Sequence, residues 1–266
     1  MKFLAVVMSY IISQSLSGHG EPVTGWANRW FQFLQQCGLG IKLVVLVYAL
    51  LPVLLFSALL YWVDSVILSF VISIPVLLLA FKSGDQPERL AEYKAKRESG
   101  EDEAAWHIAV SELGLERQLY EPNDELLDDG VQAGLAYLYL ERFFVSIFWF
   151  IAFGAPGVLL VWLIATLIRA EQVDAFLYRV KHALFWMPVR LMAFTLALMG
   201  NFTHCFPVWL EQAKQFEKDD RVLLINCLNT AVGRVNEDTM LEESLALIKR
   251  CEWAWLVGLA LMLIFG

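Results

Sequence analysis

The sequence predicts an all-α, polytopic membrane helical bundle with amphipathic and re-entrant helices and two polar helical segments. Three observations carry this. The 266 residues are 58% hydrophobic and 18% charged, whereas soluble domains run at about 45–50% apolar and about 25% charged. The excess is gathered into uncharged runs rather than spread, and mean hydropathy is +0.56. Ten Trp and eighteen Phe suit a bilayer protein, in which aromatic rings anchor the interfaces.

The elements follow in order. Residues 3–18 carry no charge behind Lys2. A cleaved signal peptide looks similar, but no Ala-x-Ala-like site follows, so a short uncleaved first helix is expected. It falls below the roughly 20 residues of a full span. Residues 22–42 set Trp26, Trp30, Phe31 and Phe33 among Asn28, Arg29 and Gln32, the pattern of an amphipathic helix at the headgroups. Residues 43–63 are uncharged and long enough to span; residues 65–81 are shorter and also uncharged. Together they predict a helical hairpin with Asp64 at its turn, in the interface marked by Tyr61 and Trp62; the alternative is a buried functional carboxylate, which the aromatics disfavour.

Residues 82–142 form the first polar segment, with fifteen acids and seven bases. Pro87 to Leu115 reads as helical, with Leu90, Tyr93, Ala104, Ala105, Ile108 and Leu113 as its apolar stripe. Glu101-Asp102-Glu103 reads as a helix start or solvated face, because adjacent acids do not supply metal geometry. Residues 120–131 read as a turn-rich loop. The uncharged run 143–168 exceeds one span, and Gly154-Ala155-Pro156-Gly157 at its middle permits a kink, a tight helix contact or two half-helices. The second polar segment, 169–252, holds ten bases and eleven acids. Embedded in it is Ala183–Leu210, with Arg190 as its one formal charge. Residues 215–250 read as one or two solvent-exposed helices, and 253–266 as a final apolar helix, marginal in length for a span.

Several functions are disfavoured. A formal charge of −8 argues against nucleic acid, which calls for a basic stripe. Cys37, Cys205, Cys227 and Cys251 show no CxxC spacing, and His19, His107, His182 and His204 form no HxxxH or HExxH pattern. No metal site is therefore expected, and the cysteines read as free. Phosphate loops of the GxxxxGK[ST] or GxGxxG type are absent. Asn201-Phe202-Thr203 matches a sequon but lies in an apolar run.

The strongest site signal is Trp186-Met187-Pro188-Val189-Arg190-Leu191. An arginine inside an apolar run is expensive, so it takes a partner: an acid, backbone carbonyls, lipid phosphate or a ligand anion. The competing reading is an arginine that snorkels to headgroups. Pro188 is expected to break the helix, free carbonyls and put Arg190 near a helix start, where anions bind. The second signal is Glu141-Arg142, ahead of Phe148-Trp149 and the glycine bend. It reads either as a membrane-boundary pair or as part of one polar pocket with Arg190. The ligand-binding set is thus Arg190, Glu141, Arg142, Pro188, Trp149 and Trp186.

The stretch Phe185-Trp186-Met187-Pro188-Val189-Arg190-Leu191, through Ala197-Leu198-Met199-Gly200 to Pro207-Val208-Trp209-Leu210, resembles the AmpE family of bacterial inner-membrane proteins. Arg142-Phe143-Phe144, Ile147-Phe148-Trp149 and Gly154-Ala155-Pro156-Gly157 extend the likeness upstream. The resemblance implies one membrane domain over 1–266. Its parts would be N-terminal helices and hairpin to 81, a polar segment 82–142, an irregular membrane core 143–210, a polar segment 211–252 and a C-terminal membrane helix 253–266. It also implies a multi-pass protein of the inner membrane with a sensory role in β-lactamase regulation, tied to cell-wall muropeptides and so to antibiotic resistance.

That family in turn looks like a distant relative of CobD/CbiB, membrane enzymes that attach an amino-alcohol phosphate to adenosylcobyric acid with ATP. Phe148-Trp149, Thr166-Leu167 and Pro188-x-Arg190-Leu191 match that enzyme's pattern, and Glu141 falls where it has an aspartate. Ala165, Ile168, Phe185 and Lys181-His182 stand where it keeps asparagines and aspartates. Most carboxylates that would hold a nucleotide's magnesium are therefore missing. The expectation is a regulatory protein without a cofactor, binding a small anion (muropeptide or nucleotide). The alternatives are a CobD/CbiB-like ligase using a nucleotide with Mg, and a transporter component. The lipid bilayer is the expected partner, and a homo-oligomer is compatible with the sequence.

Overall fold

The computed structural model describes residues 2–15, 25–38, 40–63, 65–81, 86–117, 119–124, 126–169, 175–215, 220–233 and 237–265. His19 and Asp64 lie outside them. Among the described residues all regular structure is helical. Among the described residues four stretches are long and apolar enough to cross a membrane: Ile41–Trp62, Ile67–Glu98 (whose residues 82–85 are not described), Leu127–Phe153 and Ala175–Met199. The chain folds as two compact units, Met1–Lys82 with Val145–Phe185, and Ser83–Phe144 with Trp186–Gly266.

In the first unit, α1 (Lys2–Ser15) packs on α4 (Val66–Phe81), and α2 (Gly25–Gln36) on α3 (Ile41–Val63). Helix α2 is amphipathic as expected. Ala27, Phe31 and Leu34 share its buried face, at the i, i+4, i+7 spacing of one stripe, while Trp26 and Phe33 are exposed. Phe31 meets Tyr48 of α3 edge to face at 5.5 Å, a favourable ring geometry. Helix α3 leaves Leu43, Leu46, Leu50, Leu54, Leu55 and Leu59 exposed, and Tyr61 and Trp62 almost fully so. That surface is costly in water and ordinary in lipid, with the aromatic pair at interface height.

The uncharged run 143–168 is not one span. It holds α8 (Val145–Phe153) and α9 (Ala155–Arg169). Gly154 ends α8 at φ +70°, a conformation that costs glycine nothing, and Pro156 sits in the first turn of α9 where its missing N–H is harmless. Close contact accompanies the break: a Cβ on Gly157 would lie 2.5 Å from the Trp149 carbonyl oxygen.

In the second unit, α5 (Gln86–Glu98) and α6 (Asp102–Glu112) form a hairpin. Glu101 donates its N–H to the Lys96 carbonyl at 3.0 Å, closing the turn at Gly100 in the Schellman manner. Lys96–Glu101 and Arg97–Asp102 pair across it, both at 2.7 Å, and the Lys96 ammonium holds the Glu101 carboxyl below its ordinary value. The acidic triplet is thus a helix start, as its sequence suggests.

Two expectations need correction here. The loop read over 120–131 ends earlier, because α7 spans Leu127–Tyr139. Asp128 and Asp129 look like turn residues but also suit a helix N-terminus, and Leu127, Val131, Leu135 and Tyr139 form its buried stripe. A π-helical turn, Leu140–Phe144, carries α7 directly into α8, so Glu141 and Arg142 stand inside a helical stretch rather than at its mouth. Likewise, 215–250 is not simply solvent-exposed. In α12 (Asp220–Val232), Leu223, Leu224, Cys227, Leu228 and Ala231 are buried. Helix α13 (Glu237–Phe265) runs unbroken across the boundary drawn at 252.

Packing in this unit is tied by directional contacts. Gln132 donates to Ser244 Oγ at 2.7 Å in a buried pair joining α7 and α13. Phe144 meets Trp255 edge to face at 5.2 Å, and Trp255 Nε1 donates to Thr195 Oγ1 at 3.0 Å. The sequon residue Asn201 caps α11 (Phe202–Ala213), its side chain accepting from the His204 N–H. The four cysteines are free thiols; Cys37 is exposed and the others are buried.

Candidate functional site

Arg190 lies on α10 (Ala175–Met199), which runs straight through Pro188. The expected helix break is therefore overturned, and Arg190 is mid-helix. Proline lacks the N–H that would bond the carbonyl four residues back, here that of Leu184. Within the first unit, Trp149 Nε1 donates to this carbonyl at 3.0 Å. The orphan acceptor is satisfied, so the helix has no reason to open. Trp149 also stacks on Phe153 at 5.5 Å.

Arg190 is 6% exposed, so the snorkelling reading fails. Its guanidinium is held by the protein. Nε donates to the Ala213 carbonyl at 2.9 Å, and Nη2 to the Gln215 carbonyl at 3.0 Å. Nη1 donates to the Trp186 carbonyl at 2.9 Å and to Asp220 Oδ1 at 3.2 Å. Four hydrogen bonds thus engage a group with five N–H donors. The guanidinium carbon stands 4.2 Å from the centre of the Trp186 ring, and Trp209 Nε1 donates to the Arg190 carbonyl at 2.9 Å.

The partners explain the arrangement. Ala213 ends α11, where carbonyls lack helical donors and carry partial negative charge. Asp220 opens α12 and is itself 6% exposed. One cation therefore clasps the end of one helix and the start of the next. The same first turn of α12 is gripped again: Arg221 pairs with Glu116 and lies 4.4 Å from the Tyr137 ring. Two buried charges cost several kcal/mol each to desolvate, and removing one partner alone typically costs about 3–5 kcal/mol.

Of the ligand-binding set read from the sequence, Arg190, Trp186 and Pro188 share α10, and the first two touch. Glu141 and Arg142 are half-buried in the π-helical turn, and each has partners. None of the four Arg190 hydrogen bonds goes to either of them. Trp149 acts on the Leu184 carbonyl, within the first unit. Sequence reading missed Asp220, Trp209 and the Ala213 and Gln215 carbonyls. The available signal was Asp219-Asp220 ahead of an apolar run, which marks a helix start and supplies an acid for the lone arginine. Among the described residues, no group of three or more His, Cys, Asp or Glu is placed to hold a metal ion.

A family model described as "Regulatory signalling modulator protein AmpE" matches residues 22–266. No curated protein and no solved structure matches the chain. The chain belongs to the AmpE family, and its role is regulatory. With four apolar, span-length stretches among its described residues it is a membrane protein.

Proposed function

We propose that this member of the AmpE family is a sensor of the bacterial inner membrane that modulates β-lactamase induction by responding to a small anionic ligand, with cell-wall muropeptides as the ligand class. One observation carries the reading. The buried Arg190 holds Asp220, the first residue of α12, through a hydrogen bond longer than those it makes to carbonyls. A ligand carboxylate or phosphate that took the place of Asp220 would keep the arginine satisfied and release the start of α12. Binding would thereby become a change in helix position without any covalent step. Such a device needs a ligand with different affinity for the clasped and released states, and an anion competing with a carboxylate has that property.

Trp186 is the built-in reporter, because its ring lies against the guanidinium. Titrating the detergent-solubilised protein with purified muropeptides should change tryptophan emission, and Trp186→Phe should remove the change. Asp220→Asn should bind muropeptide more tightly, and Arg190→Gln should not bind it. ATP-dependent product formation, or a nucleotide response that survives Arg190→Gln, would contradict the proposal and favour a CobD/CbiB-like ligase.

A further inference from the structure

We infer that the groove between α5 and the polar half of α13 is a binding site for an anionic phospholipid. It is separate from the Arg190 clasp and independent of the function proposed for it. The groove is a cavity of about 350 Å³, within the size range of ligand pockets. Leu90 and Ala91 of α5 and Leu245 and Ala246 of α13 line it, with Lys94 and Lys249 entering from the two helices. The alanines keep it open and the leucines make it apolar. Among the described residues its charged lining is the two lysines and Glu242, and the buried Glu252 carboxylate stands behind Lys249, so the cations are concentrated at the groove and one of their two counter-charges lies outside its lining.

The lysines are restrained but addressable. Lys94 Nζ bridges α5 to α13 through Glu242 Oε1 at 2.8 Å, and the Glu242 side chain is 62% exposed, so the pair is of the weak surface kind. Lys249 Nζ is held 3.2 Å from Glu252 Oε2 and 4.8 Å from the centre of the Tyr139 ring. A phosphate displacing Glu242 would meet the Lys94 ammonium, with Lys249 on the opposite wall restrained by Glu252 and Tyr139.

Helix α13 identifies the occupant as a lipid. Beyond Glu252 it carries no charge to its end, and Trp253, Val257, Leu261, Met262, Ile264 and Phe265 are exposed. That is a bilayer-facing surface with a tryptophan at its border. Lys249 precedes Trp253 by one turn, about 6 Å along the axis at 1.5 Å per residue. The groove therefore opens at headgroup depth and is continuous with the acyl-chain surface. Basic pockets at that level bind lipid headgroups. The phosphate would lie between Lys94 and Lys249, and the glycerol and first methylenes against Leu90 and Leu245.

The test is native mass spectrometry of the full chain in detergent, titrated with phosphatidylglycerol and, separately, phosphatidylcholine. The wild type should retain phosphatidylglycerol in preference. Lys94→Gln should weaken retention about fivefold, the effect of one lysine near an anionic surface. Glu242→Gln should strengthen it. Ala246→Leu, which fills the groove and leaves every charge in place, should weaken it with an unchanged melting temperature. Equal retention of the two lipids overturns the inference. So does retention untouched by both Lys94→Gln and Ala246→Leu. Displacement of the lipid by inorganic phosphate at equal concentration would assign the site to a free anion, and a chain dimer lost in Ala246→Leu would assign it to a second copy; both overturn it as well.

Discussion

Helices α3 and α10 invite comparison. They have 23 and 25 residues, and each carries a proline in its interior, Pro52 and Pro188. Both are long and apolar enough to span, but the most apolar 18 residues of each have mean hydropathies of 2.8 and 1.4. Helix α3 turns a row of leucines outward and presents no formal charge beyond Lys42. Helix α10 buries an arginine and surrounds it with carbonyls, a carboxylate and an indole ring. One helix meets the bilayer with its own surface. The other requires partners from elsewhere in the chain, and that requirement fixes where α11 ends and α12 begins. An apolar helix with a charge buried at its middle is therefore a different object from one charged only near its end: the buried charge converts a span into a tertiary clasp.

The largest expected break in this comparison is Arg190→Leu. It removes the buried charge from the middle of α10 but strands Asp220 in the interior, so the loss should be about 3–5 kcal/mol, read as a fall in melting temperature. The double variant with Asp220→Leu should recover most of it. Next is Gly157→Ala, whose new Cβ would meet the Trp149 carbonyl oxygen. Overpacking of that kind costs about 1–3 kcal/mol, on the same scale. Trp149→Phe should cost about 1 kcal/mol, the worth of one hydrogen bond, and Pro188→Ala should cancel that cost by restoring an N–H for the Leu184 carbonyl. A double-mutant cycle checks the coupling. Leu54→Ala on the outward face of α3 should change stability by less than about 0.5 kcal/mol.

The smallest effect concerns pH. The Glu101 carboxyl is depressed by Lys96, so its contribution to stability is present above the unfolded-state value and is lost as pH falls through the lowered folded value. Because the pair is exposed the change should be slight and should vanish in high salt. Comparing Glu101→Gln with wild type across acidic pH in low and high salt measures it.

The sequence made α3 and α4 legible because their uncharged runs are continuous: 43–63 and 65–81 were expected, and Ile41–Val63 and Val66–Phe81 are found. The bend at Gly154 was legible from its glycines, although which of three geometries it takes depends on how closely Gly157 approaches Trp149. Helices that mix charge with apolar stripes were harder. Asp128, Asp129, Glu141 and Arg142 hid the continuity of 127–153, and Lys249, Arg250 and Glu252 hid that of α13, because local charge marks a segment boundary only when no buried face runs beneath it. Arg190 announced that it needed a partner. Which partner it has is a tertiary fact, since Asp220 is 30 residues away. Pro188 misled for a related reason: its effect on α10 is cancelled by an indole 35 residues distant from the carbonyl it satisfies.

The central claim is that the Arg190–Asp220 contact holds the start of α12 and that an anionic ligand releases it. Amide hydrogen exchange over 220–232, followed with and without muropeptide, tests this most directly. The account predicts slow exchange in the unliganded wild type, and faster exchange on adding muropeptide that matches the level of unliganded Asp220→Asn. Muropeptide binding that leaves exchange in α12 unchanged, or an Asp220→Asn variant as protected as the wild type, would contradict it.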